Sequence, residues 1–315
     1  MKPLRIGTRG SALALWQANH FRDALQSSCG LAAEIVVIKT SGDQFATAPP
    51  DQIGVKGIFT KELEDALLDG RADLAVHSMK DVPTELSDVC RVSVVFKRED
   101  PRDALVSHRG ETLAKLPRSA RIGTSSLRRA SQLRLFRPDF QIAELRGNVD
   151  TRLRKLSAGE YDAIVLAKAG IDRLGLSDCI TEAISPEVVV PAVGQGALGV
   201  EYFAPREEEF SFLDELVDQD TTLAVHAERA LLAELQGGCR LPLGAWARLD
   251  EGGTMILDAC VLSSDGTESL RRRGEKKCAS AAEAESLGRA VAEELLAAGA
   301  DRLLRLAGRS VGQSQ

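Results

Sequence analysis

Aromatic residues make up only 4% of this 315-residue chain, against 44% hydrophobic residues in all, so its cores must be built mainly from Leu, Val, Ile and Ala. No apolar run approaches the roughly 20 residues that a membrane-spanning helix needs. The opening MKPLRIGTRG enters a strand without the basic, apolar, small-residue order of a secretory signal. A soluble, cytoplasmic protein is expected, with no membrane partner. Cysteine is sparse and dispersed: the six residues Cys29, Cys90, Cys179, Cys239, Cys260 and Cys278 include no C-x-x-C pair, and the four histidines form no cluster beside them. That spacing argues against a disulfide framework and against a zinc site, so free thiols and no metal are expected. The net charge of -6 disfavours nucleic acid as a partner.

The charge is unevenly spread. Residues 118–173 hold 12 Lys+Arg against 6 Asp+Glu, a basic stretch inside an acidic protein. Either a solvated basic face or a local anion site accounts for that.

Two segments resemble each other. LRIGTRGSALALWQ (4–17) and ARIGTSSLRRASQL (120–133) each read as a short strand, then Ile-Gly-Thr, then a small hydroxyl residue opening a helix. DGRADLAVHSMK (69–80) and AGEYDAIVLAKA (158–169) share a Gly, an Asp three residues on and a Val three beyond that, and each follows a helical stretch. The glycines suit helix C-caps, and the apolar runs suit buried parallel strands. The expected fold is therefore α/β: two lobes of related design, with double crossings near FKREDPRDAL and PAVGQGALGV. A small C-terminal α+β domain follows. The expected boundaries are 1–98 with 193–214 for lobe one, 99–192 for lobe two and 215–315 for the last domain. Its helices should cover TTLAVHAERALLAEL and about Ala279 to Ala298, with strands around the turn SSDG.

Lobes of this kind present strand C-termini and helix N-termini to a ligand, and a helix N-terminus favours anions. GTRGS and GTSSLRR add hydroxyl and guanidinium donors there, and the planar fork of Arg can hold a carboxylate through two bonds. Arg128 and Arg129 stand at such a helix start, where they are anion binders or ordinary surface arginines. Arg134, Arg137 and Arg154 are read as surface. In AVHSMKDVP, Asp81 is a turn-former before Val-Pro or a carboxylate that stabilises a cation, while His77 reads as a core histidine. In LQGGCRLPLG, Cys239 is either a small buried hydrophobe or a thiol that two glycines leave open to a large group.

Nine blocks in order tie these pieces together: TRGSALALWQ, VKGIFTKELEDALL, ADLAVHSMKDVP, REDPRDAL, IGTSSLRRASQL, LRGNVDTRL, YDAIVLAKAGIDRLGL, PAVGQGALGV and GGCRLPLG. From about Leu4 to Gly244 the chain resembles the porphobilinogen deaminases, or hydroxymethylbilane synthases, of tetrapyrrole biosynthesis. The resemblance implies a transferase that joins four porphobilinogen molecules head to tail with loss of ammonia, then frees 1-hydroxymethylbilane by hydrolysis. It implies two lobes similar to periplasmic binding proteins, and a dipyrromethane cofactor held by a thioether to Cys239. Asp81 matches the catalytic aspartate, which would stabilise the electron-poor azafulvene left when ammonia departs. Lys80, Asp81, Thr124, Ser125, Ser126, Arg128 and Arg129 match cofactor-binding positions. Arg9, Ser11, Gln17, Arg146, Arg152, Arg173 and Gln195 match positions that bind the substrate and the growing chain, and Lys56 and Phe59 match a lid. A monomer is expected. Where lobe one reads MKD, lobe two reads AKA, so only one lobe carries the acid. The competing reading is a bilobal anion-binding or sensor protein without catalysis, which fold alone does not exclude.

Overall fold

The computed structural model describes residues 2–39, 61–84, 87–236 and 241–312. In chain order its strands are β1 (Leu4–Thr8), β2 (Ala33–Val37), β3 (Leu74–Ser78), β4 (Cys90–Val95), β5 (Asp103–Ser107), β6 (Arg121–Gly123), β7 (Gln141–Ala143), β8 (Ala163–Ala167), β9 (Glu182–Ala183), β10 (Leu198–Phe203), β11 (Leu243–Leu249), β12 (Thr254–Leu262) and β13 (Ser269–Lys277). The helices are α1 (Ala12–Cys29), α2 (Lys61–Leu68), α3 (Leu127–Phe136), α4 (Val149–Ser157), α5 (Lys168–Arg173), α6 (Gln219–Glu234), α7 (Ala281–Ala297) and α8 (Ala300–Gly312). The chain divides into two compact units, residues 1–99 with 197–222, and residues 100–196 with 223–315.

The first unit is lobe one. Its sheet runs β2-β1-β3-β10-β4, with β1 parallel to β2 and β3, and β10 antiparallel to β3 and β4. The second unit contains lobe two, whose sheet β7-β6-β8-β5-β9 has the same pattern: β6 is parallel to β7 and β8, and β5 is antiparallel to β8 and β9. The second unit also holds the antiparallel sheet β11-β12-β13, packed with α6, α7 and α8 around Leu231, Leu257, Val261 and Leu295. The chain is thus two α/β lobes joined by double crossings, plus a small C-terminal α+β domain, as expected. β3 and β8 are parallel to a neighbour on one side only, because each takes a crossing strand on the other.

The repeated sequence gives repeated bonds. Asp73, just before β3, accepts from the Arg5 backbone N–H at 3.0 Å, and Asp162, just before β8, accepts from the Arg121 N–H at 2.7 Å. In both lobes this Asp pins the start of one strand to its parallel neighbour. The shared glycine is a packing requirement: a Cβ on Gly123 would lie 2.9 Å from Tyr161 and 3.0 Å from Leu145. Each lobe buries its own apolar set, Ile6, Phe21, Leu74 and Val200 in one and Leu105, Ile122, Leu133 and Val165 in the other. Each such side chain contributes about 1.5–3 kcal/mol on burial.

Two segments go beyond the sequence reading. The acidic stretch after β10 forms 3₁₀ turns over Ala204–Leu216, and its Phe210, Leu213 and Leu216 fill the lobe-one core. Three apolar residues spaced among acids are enough to tie it down. The expected closing helix ends at Ala297, and α8 continues beyond it with Leu303, Leu304 and Ala307 buried. Among the described residues no helix is long and apolar enough to cross a membrane.

Candidate active site

In lobe one, the β1–α1 turn and the end of β3 carry the candidates. Ser11 is the N-cap of α1 and accepts from the Ala14 N–H at 3.3 Å, and Arg9 beside it is half-buried. Gln17 on α1 is buried and donates to Ser78 Oγ at 3.1 Å, tying the helix to the end of β3. There the chain turns through a 3₁₀ turn, Met79–Asp81. Met79 anchors it: its N–H donates to the Ala197 carbonyl at 3.0 Å, and a Cβ on Gly199 would lie 2.3 Å from its sulfur, so only glycine admits it. With Met79 buried, Lys80 is half-buried and Asp81 is exposed. The Asp81 carboxylate makes no hydrogen bond or ion pair among the described residues. His77 is buried, as expected, 2.9 Å from Glu201.

In lobe two, Thr124, Ser125 and Ser126 form the β6–α3 turn. Thr124 Oγ1 accepts from the Ser126 N–H at 3.2 Å, Ser125 Oγ donates to the Leu145 carbonyl at 2.5 Å, and Ser126 caps α3. Arg128 and Arg129 follow directly, but they are not surface residues: their relative exposures are 5% and 7%. α3 is held against the C-terminal domain by Ser131 and Arg134, which donate to the Ser264 carbonyl at 3.2 and 2.9 Å. Arg134 is therefore a packing residue.

The group that binds these side chains together is Asp103, at the start of crossing strand β5 and fully buried. Its carboxylate accepts from Arg128 Nη1 at 2.6 Å, from Arg129 Nε and Nη2 at 2.9 and 2.7 Å, and from Gln195 Nε2 at 3.0 Å. Burial alone would raise the Asp103 carboxyl, but the charges of Arg128 and Arg129 and their hydrogen bonds outweigh it and hold it well below the usual carboxylate range. Arg128 also donates to the Val190 carbonyl at 2.7 Å, and Arg129 to that of Val165 at 3.1 Å.

Arg152, on α4, donates to the Gly147 carbonyl at 2.7 Å. Burial, and then the charge of Arg129, brings its guanidinium down to about 10. Arg128, Arg129 and Arg152 thus set three guanidinia against the one carboxylate of Asp103, an excess that suits a ligand bearing carboxylates. Arg173 is buried and donates to the Gly196 carbonyl at 2.9 Å, next to Gln195. Arg146 stands apart, paired with Glu144 at 2.6 Å. Cys239, Lys56 and Phe59 lie outside the described residues.

The sequence reading brought Arg128, Arg129 and Gln195 forward but missed Asp103. The signal was present in REDPRDAL: an acid opening the apolar run Asp103–Ser107 is bound for burial and needs cationic partners.

Comparison with known proteins identifies the family. Residues 4–211 match the family model described as porphobilinogen deaminase, dipyromethane cofactor binding domain, and residues 222–297 match the porphobilinogen deaminase C-terminal domain. The porphobilinogen deaminase of Syntrophobacter fumaroxidans is 48% identical over 302 residues, covering 96% of each chain. That of Roseiflexus castenholzii is 51% identical over 302 residues, covering 96% of this chain and 98% of its own. A periplasmic substrate-binding protein of an ABC transporter from Coxiella burnetii is similar at 14% identity and a TM-score of 0.38, over 67% of this chain and 89% of that one, too distant to bear on function. With two family models covering most of its length and near-full-length relatives at about half identity, the chain belongs to the porphobilinogen deaminase family.

Proposed function

We infer that this chain is a hydroxymethylbilane synthase that condenses four porphobilinogen molecules on a dipyrromethane primer with release of ammonia, and that the residues above divide that work between its lobes. The observation that carries the assignment of residues is the excess of guanidinium charge around Asp103, in a chain whose family model is a dipyrromethane-binding domain. A receptor without catalysis is not favoured, since both family models are those of the deaminase.

When attached, the dipyrromethane supplies a nucleophilic pyrrole carbon. We assign its attachment to Cys239, on the GGC sequence alone, and its carboxylates to Arg128 and Arg129, with Thr124, Ser125, Ser126 and Lys80 as further donors. Asp103 orients both arginines, so their remaining N–H groups are aimed before a ligand arrives. Arg9, Ser11, Gln17, Arg146, Arg152, Arg173 and Gln195 are assigned to the acetate and propionate groups of porphobilinogen and its chain. Gln17 and Gln195 spend amide N–H groups on the protein itself, so part of their role is to position Ser78 and Asp103. Asp81 keeps an exposed carboxylate, which can stabilise the cation that develops on the substrate pyrrole as ammonia leaves. Lys56 and Phe59 are assigned to a lid.

The division 1–98 with 193–214, 99–192 and 215–315 is our functional partition. A cytoplasmic monomer fits a single chain that supplies the whole residue set. The test is covalent pyrrole. Purified protein, denatured, should give the Ehrlich colour, and Cys239→Ala should be colourless and lighter by the adduct in intact mass. The same adduct on Cys239→Ala would move the attachment to another cysteine, and a colourless wild type would overturn the reading.

A further inference from the structure

A second group of arginines lies in the same unit as lobe two, around a cavity lined by none of the residues assigned above, although Arg128 and Gln195 donate to the carbonyls of Val190 and Pro101 in its wall. The sheet β11-β12-β13 has one face on the α7–α8 core and one face turned to lobe two. Register fixes what stands on the latter: Trp246 pairs with Asp258 and Asp258 with Arg273, while Cys260 pairs with Arg271. Arg248, two residues from Trp246 on the same strand, shares that face. Part of the face is covered by Val190, which packs with Cys260, Leu262 and Trp246. The rest is open, forming a cavity of about 740 Å³ whose opposite wall is Asp100, Pro101, Arg102, Pro186 and Glu187. A volume of that size suits a small organic ligand.

The charges in this cavity do not cancel: its lining holds five arginines, Arg102, Arg248, Arg271, Arg272 and Arg273, against three carboxylates, Asp100, Glu187 and Asp258. Asp258 is shared by Arg248 and Arg273, each at 2.7 Å, and those bonds overcome burial to keep it ionised. Asp100 is taken by Arg102, through contacts of 2.6 to 3.0 Å. Arg271 has no carboxylate partner among the described residues: its Nη1 donates to the Glu187 backbone carbonyl at 2.8 Å, it lies against the Cys260 thiol, and the residue is exposed. Arg102, Arg248, Arg271 and Arg273 are all exposed or half-exposed and spread around an apolar floor of Trp246, Val190 and Pro101, with the Arg248 guanidinium already 4.0 Å over the indole. Separated guanidinia with carboxylates between them suit two spaced carboxylates better than one dense phosphate. Protection of the sheet edge would explain basic residues on β13, but not their convergence with Arg102, Arg248 and Trp246 on one cavity.

We propose that this cavity is a binding site for a small di- or tricarboxylate, separate from the residues that hold the dipyrromethane and porphobilinogen. Trp246 is its built-in reporter, because the chain has only one other tryptophan, Trp16 in lobe one. Holoenzyme carrying Trp16→Phe is titrated with citrate, with sodium chloride at matched ionic strength and inorganic phosphate as controls. The expected result is a saturable change in Trp246 emission with citrate, at least about tenfold weaker in a further Arg271→Gln/Arg273→Gln variant, and weaker with phosphate. Arg271→Gln alone, at an exposed position that no core depends on, should give a smaller drop of the same kind. No saturable change, an equal response to chloride or phosphate, or a response that survives both substitutions would overturn the proposal.

Discussion

The two lobes share a frame and place their telling carboxylates at different points of it. In lobe one the crossing strand β10 begins with Leu198, opposite Ser78 at the end of β3. In lobe two the crossing strand β5 begins with Asp103, opposite Ala167 at the end of β8. Leu198 joins an apolar core, while Asp103 draws two arginines and a glutamine into the interior. Three residues beyond β3 stands exposed Asp81, and three residues beyond β8 stands buried Gly170. Gly170 is one place past the Ala169 that the MKD and AKA reading set opposite Asp81, because the strand ends and not the shared lysine fix the offset. Each lobe therefore has one telling carboxylate, placed where the other has none. The buried one is committed to holding cations, and the exposed one stays available to a reacting ligand.

The largest effect should come from breaking the buried half. Asp103→Asn keeps the shape but leaves Arg128 and Arg129 buried without their anion, and removing one side of such a pair costs about 3–5 kcal/mol. The measurement is the urea unfolding midpoint, and a loss under about 1 kcal/mol would mean that the Val190 and Val165 carbonyls suffice. A pH dependence follows as well. Because the folded Asp103 carboxyl is held below its unfolded value of about 3.9, its stabilisation is present above that pH and is lost as pH falls further. Stability of the wild type should thus fall more steeply below about pH 4 than that of Asp103→Asn, which lacks that proton uptake.

This asymmetry also marks how far the sequence could be read. Ile-Gly-Thr, the paired Asp73 and Asp162, and the apolar runs of β3 and β8 depend on local pattern, and all of them surfaced as a repeat. Arg128 and Arg129 were visible because they open a helix. Their burial was not, since it depends on Asp103, 25 and 26 residues away in sequence, and on Val190, 62 away from Arg128. The crossings were placed from FKREDPRDAL and PAVGQGALGV, but the partners of β10 and β5 were not, because long-range pairing leaves no local period. The site was legible as residue types, and its wiring was not.

Breaking the exposed half should change turnover and little else. Asp81→Asn removes a charge that no described side chain uses, so stability should stay within about 0.5 kcal/mol. Loss of one well-placed electrostatic group lowers turnover about 100- to 1000-fold. Hydroxymethylbilane formation from porphobilinogen is measured with cofactor content alongside. Near-normal turnover by cofactor-loaded Asp81→Asn would return Asp81 to a turn-former and end the contrast between the two carboxylates.

The smallest effects test the frame itself. Ser11 caps α1 by accepting from the Ala14 N–H at 3.3 Å, and Ser126 caps α3 by accepting from the Arg129 N–H at 3.5 Å. If the lobes are equivalent as scaffolds, Ser11→Ala and Ser126→Ala should each cost about 1 kcal/mol in urea unfolding. Their functional consequences should differ. A hydroxyl that accepts from the helix still has its own proton to donate, and each serine is assigned to a different ligand. Ser11→Ala should raise the KM for porphobilinogen with full cofactor content, whereas Ser126→Ala should yield a fraction of protein without cofactor in intact mass. Equal losses of stability with neither functional change would leave both serines as caps alone, and would confine the difference between the lobes to Asp81, Asp103 and the arginines.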